Sequence, residues 1–128
     1  MQQGFVEAAG HRLEYRLIPA HQLDRPTLVF LHEGLGSLAM WRDFPAKVAA
    51  ATGCRTLVYS RYGYGESDVL AQPFAVRYMH DEALIALPEL LDKLEIDKPV
   101  LVKGRVVFAG SSSELTDNEE LMHRFLGV

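Results

Sequence analysis

The sequence predicts a three-layer α/β fold, a small mixed and mostly parallel sheet with helices on both faces. Three observations carry this. The runs Thr27–Leu31 and Val100–Val102 are continuously apolar, as in strands covered on both sides. Strand and helix patterns follow one another as β-β-β-α-β-α-β, an antiparallel start leading into alternation. The 128 residues, 48% hydrophobic and 23% charged, fit one globular, soluble domain.

Each element has its own signal. Phe5–Ala8 and Arg12–Ile18 read as strands around a turn at Gly10, with Leu13, Tyr15 and Leu17 alternating against charged neighbours. After a polar connection comes the strand Thr27–Leu31, then the glycine-bearing loop His32-Glu33-Gly34-Leu35-Gly36-Ser37. Trp41 to Thr52 is expected to be a helix presenting Trp41, Phe44, Val48 and Ala51, and Gly53 stops it. Arg55–Tyr59 is a further strand, and Ser60 to Pro73 a loop with glycines at 63 and 65. Val76 to Leu94 carries a helical stripe of Leu84, Leu87, Leu91 and Leu94, which Pro88 should kink because proline has no N–H to donate. Beyond Val102, Lys103-Gly104 signals a turn and Arg105–Phe108 a strand, so a hairpin with Val100–Val102 is expected. Ser111–Glu114 and Thr116–Glu119 both have the capping-box pattern, and Leu121, Met122 and Phe125 give a final short helix its apolar face.

Composition narrows the function. A formal charge of −4 with no Lys/Arg cluster argues against nucleic acid and against a membrane surface. No apolar run approaches the ~20 residues of a membrane span. Met1-Gln2-Gln3-Gly4 lacks the basic start of a signal peptide, so a cytoplasmic location is expected. Cys54 is the only cysteine, which leaves no intramolecular disulfide and no cysteine-based zinc site; it reads as a small packed residue. Asp43, Asp68, His80 and Asp81 are scattered and read as capping or surface groups, so neither a metal nor a cofactor is expected.

The loop after Leu31 is the main candidate for chemistry. Glycines there let a bare N–H point at a developing oxyanion, although a tight βα turn needs glycines as well. Thr27–Ser37, TLVFLHEGLGS, with Met40–Pro45 behind it, then VYSRYGYGESD at 58–68 and YMHDEALIALPELL at 78–91, together resemble the N-terminal half of an α/β-hydrolase over about residues 5–102, roughly three quarters of the chain. The resemblance implies a truncated α/β-hydrolase sheet. It implies an oxyanion-loop remnant at His32, Gly34 and Leu35: the backbone near Gly34, with Leu35 beside it, would donate, and His32 would organise the loop and not act as the base. Such enzymes pass from the strand matching Val100–Val102 into a nucleophile elbow, G-x-S-x-G. Here Lys103-Gly104-Arg105 follows, and no G-x-S-x-G occurs in the sequence. The triad acid and histidine follow the serine in that family, so no catalytic residue is assigned. Ser111, Ser112 and Ser113, with His123 behind them, read as helix caps, and Ser60 matches a strand end, not the nucleophile.

Val100 to Val128, VLVKGRVVFAGSSSELTDNEELMHRFLGV, is similar to a different family: the C-terminal end of the ATP-binding subunit of branched-chain amino-acid ABC transporters. Without a Walker A loop the tail is not expected to bind ATP. The phrase Val100–Val102 suits both resemblances, so a gene fusion joined there is expected, with an independently evolved edge hairpin as the alternative. Residues 1–102 would be a partial hydrolase domain and 103–128 a hairpin-helix tail packed on it. The expected protein is thus an ester or acyl hydrolase by descent, inactive alone. A binding or structural module and a hydrolase completed by a second chain are the rivals. Self-association through exposed sheet surface is expected as well.

Overall fold

The computed structural model of the protein describes residues 1–32, 36–71, 76–103 and 106–116. Among these, six strands form one sheet: β1 (Gln2–Ala8), β2 (His11–Ile18), β3 (Thr27–Phe30), β4 (Thr56–Tyr59), β5 (Pro99–Val102) and β6 (Val106–Ala109), in the order β1-β2-β4-β3-β5-β6. The sheet is mixed, as expected, but parallel only at its centre. β3 pairs parallel with β4 and with β5, whereas β1–β2, β2–β4 and β5–β6 are antiparallel. The "mostly parallel" expectation therefore holds for the middle and not for the flanks, where the β1–β2 and β5–β6 hairpins and the β2–β4 pair run antiparallel.

The first hairpin closes through two residues, Ala9 and Gly10, at φ 53° and 78°. Two positive φ values match the right-handed twist of the flanking strands. Alanine is strained in that conformation, and its N–H is held by Glu89 Oε2 at 2.8 Å. This bond, then the Lys93 ammonium, lowers the Glu89 carboxyl below its usual range.

Helices lie on both faces. On one, a 3₁₀ turn, Leu38–Trp41, precedes α1 (Phe44–Thr52), which Gly53 ends in the left-handed conformation. Arg42, at φ 53°, separates the two, so the single helix expected over 41–52 is broken. The buried side of α1 is Pro45 and Ala49 with Val48 half-buried, while Phe44 is half exposed. The predicted face started from Trp41, which belongs to the preceding turn and is out of phase with α1.

On the other face, α2 (Tyr78–Asp81) runs into a π-helical turn, Glu82–Ala86, and then α3 (Leu87–Lys93). Pro88 is the physical cause. It cannot donate to the carbonyl four residues back, and its ring crowds that carbonyl. The chain absorbs this by widening the preceding turn, with Leu87 N–H donating to Glu82 O, five residues back. A wide turn, in a segment that stays helical throughout, stands where the kink was expected. Buried residues are Glu82, Ala83, Ala86, Leu87, Leu90 and Leu91, adjacent pairs at four-residue intervals. Leu84 and Leu94, from the predicted stripe, are only partly buried.

The core between the sheet and this second face joins Leu13, Val29, Leu57 and Leu101 to Leu87, Leu90 and Leu91. The cluster on the α1 face is smaller: Phe30, Leu38 and Val58, with Trp41, Leu28 and Val102 partly covered. Three layers result. The predicted hairpin forms, with Val102 opposite Val106 and a register shift at Leu101/Val102. α4 (Ser112–Thr116) follows, and Glu114 N–H donates to Ser111 Oγ at 3.1 Å, as the first capping box requires. Leu115 is 1% exposed and joins the larger core. The second capping box and the helix face of Leu121, Met122 and Phe125 fall outside the described residues. No helix among the described residues is long and apolar enough to cross a membrane.

Candidate functional site

The C-terminal ends of β3, β4 and β5 lie side by side, because parallel pairing puts all three on one edge of the sheet. Ligands of open α/β sheets bind outside this edge. His32 leaves β3 here and Lys103 leaves β5; Ser60 and Arg61 leave β4. The first turn of the opposite face brings Met79 and Glu82 against them.

His32 is 1% exposed. Its Nε2 accepts the Arg61 N–H at 3.0 Å, and its ring meets Tyr64 at 5.0 Å. A side chain so engaged fastens the end of β3 to the loop after β4. Gly34 and Leu35, the rest of the expected oxyanion-loop remnant, lie outside the described residues.

Ser60 is fully buried. Its hydroxyl donates to Glu14 Oε1 at 2.5 Å and accepts from Leu38 N–H at 2.8 Å. Ser67 repeats the pattern, donating to Ser60 O and accepting from Glu14 N–H. Together they bind the loop after β3 and the loop after β4 to strand β2. The Ser60 hydroxyl has neither free proton nor access, so it is a fastening and not a nucleophile. Asp68 clamps Arg12 in the same manner, accepting its N–H at 2.8 Å. Asp43 pairs with Lys47 and Asp81 with Arg77, each one helical turn away on the surface. The described residues contain no group of three or more His, Cys, Asp or Glu suited to a metal.

The residue that sequence reasoning missed is Glu82. It is 6% exposed. Oε1 accepts Tyr62 N–H at 3.3 Å, and Oε2 has no hydrogen-bond partner among the described residues. Burial drives its pKa up to about 7, against the opposing pull of the Tyr62 N–H and the Arg61 guanidinium. The same burial, with the Glu82 charge second, raises the Tyr59 and Tyr78 hydroxyls above their usual range. Arg61 reaches Met79 Sδ at 3.4 Å and lies over the Tyr64 ring. Glu82, Arg61, Met79 and Tyr59, with His32 and Lys103, line a small, partly open cavity of about 20 Å³. A regular 3.6-residue helix would carry Glu82 away from the buried stripe. The widened turn, in which Leu87 N–H reaches Glu82 O, sets Glu82 in line with Leu87 on the buried face.

The strand order, the parallel centre and the loops at this edge define the fold of the α/β-hydrolases, here as a truncated sheet. Solved structures share it. An epoxide hydrolase mutant of Vigna radiata superimposes with a TM-score of 0.63 at 20% identity, over 80% of this chain and 30% of its own. The haloalkane dehalogenase DatA of Agrobacterium tumefaciens gives 0.64 at 20%, over 80% and 32%. A hydrolase of Pseudomonas aeruginosa gives 0.58 at 30%, over 79% and 36%. The chain thus spans about a third of the solved structures it matches. No family model and no curated protein matches the sequence.

Proposed function

We propose that the chain is an α/β-hydrolase module, of ester or acyl hydrolase descent, that does not catalyse hydrolysis alone. The observation that carries this is the antiparallel pairing of Val102 with Val106. A nucleophile elbow needs the chain to leave that strand through a strained turn into a helix, with the serine exposed at the bend. A return strand occupies that path. The engagement of His32 and Ser60 in fastening the loops supports the same reading. A fluorophosphonate probe on the purified chain, with a short-chain ester assay beside it, tests this. No labelled serine and turnover at background are expected; stoichiometric labelling of any serine would refute it.

A second reading is that a complementing chain supplies the remaining hydrolase elements. It is favoured by the thin cover on the α1 face, where Met40 and Phe44 are about half exposed. On either reading, residues 103–128 serve as a tail of separate origin, joined at Val100–Val102, whose strand β6 covers the edge that β5 would otherwise leave bare. The burial of Leu115 supports a tail packed on the main domain.

A further inference from the structure

The small cavity at the strand ends is walled by His32, Tyr59, Arg61, Met79, Glu82 and Lys103, among others. Its volume of about 20 Å³ exceeds the roughly 10–15 Å³ that one water requires. Glu82 lines it with a carboxylate oxygen that has no partner among the described residues. A buried acceptor without a donor is costly, and a bound water is the usual remedy. We propose that the cavity is a one-water site serving Glu82, and that this carboxyl with its water forms a pH-sensitive latch between the helical segment 78–93 and the ends of β3 and β4.

The surroundings decide which way the latch works. From β4 and its loop come Tyr59, Arg61 and the Tyr62 N–H; from the helix, Tyr78 and Met79; from β3, His32; from β5, Lys103. Arg61 and the Tyr62 N–H favour the charged carboxylate, but burial outweighs them and holds its pKa near 7. The two tyrosines are shifted upward and keep their protons through neutral pH. At acid pH the neutral carboxyl closes the helix onto the strands. As pH rises the carboxylate appears inside, draws the water to Oε2 and loosens the contact. The folded pKa lies above the ordinary 4.5, so the stabilisation is complete below about 4.5 and is lost as pH passes through about 7. His32 is the other group at the cavity that ordinarily titrates near neutrality, so the test must separate the two.

Urea unfolding of the protein and of Glu82→Gln between pH 5 and 8.5 makes that separation, with a carbon-13 NMR titration of the Glu82 carboxyl in the unaltered chain. A carboxyl midpoint near 7 is expected. The unfolding constant should rise roughly 50- to 100-fold across the range in the protein and lose that rise in Glu82→Gln. Oxygen-17 relaxation dispersion at pH 8 should count one long-lived water more in the protein than in Glu82→Met. A midpoint in the ordinary carboxylate range, or an undiminished pH slope in Glu82→Gln, overturns the latch. Equal water counts overturn the water site. Should Glu82→Gln fail to fold, the NMR titration of the unaltered chain decides.

Discussion

At the scale of single residues, the site is held by short polar side chains that fasten backbone. Gly65 shows how tightly. It sits at φ 53°, and a Cβ there would collide with Glu14 Oε1 and come within 2.6 Å of Ser60 Oγ. Gly65→Ala should therefore cost about 1–2 kcal/mol in backbone conformation and about 1 kcal/mol more for the strained hydrogen bonds, read as a lower urea midpoint at unchanged slope. Glu82 contributes on a similar scale: a carboxyl held near pH 7 instead of 4.5 is equivalent to about 3 kcal/mol of stability, present in acid and lost above neutrality. These residues were unequally legible. His32 was visible in the sequence because it follows an apolar strand and precedes glycines. Glu82 was not, because a charged residue inside a leucine-rich helix reads as its wet side.

Among the elements, strands were easier to read than helices. Continuous apolar runs located β3 and β5 to within a residue. The helices were misphased wherever the backbone departed from 3.6 residues per turn, at Arg42 and at Glu82–Ala86. Pro88→Ala tests the second departure. The substitution removes a poor helix former, which by propensity alone would stabilise by up to about 3 kcal/mol. A regular turn, however, would rotate Glu82 out of line with Leu87, while Ala83, four residues before Leu87, would stay on the buried face. The net gain should therefore fall well short of that figure, and the Glu82 carboxyl should titrate at a lower pH. At the other end of the chain, Ser111→Ala removes the cap of α4 and should cost about 1 kcal/mol. The loss belongs in the global unfolding transition, because Leu115 ties α4 to the main core.

For the whole molecule, the two faces of the sheet are unequally covered. The larger core lies under α2–α4, while Met40, Phe44 and the half-buried Trp41, Leu28 and Val102 share the α1 face. Monomers seldom leave apolar patches beyond a few hundred Å² open, so sedimentation velocity over a wide concentration range should show reversible self-association; one concentration-independent species would contradict that. Imbalance of this kind was legible only in outline, since a sequence states which strands are apolar on both sides but not which helices arrive to cover them. Cys54 offers an unplanned instrument for following the consequences. It is the only thiol in the chain, and it is buried where α1 hands over to β4. A thiol reagent therefore meets it only when that junction opens, and the alkylation rate becomes a clock for openings too rare to appear in an equilibrium melt.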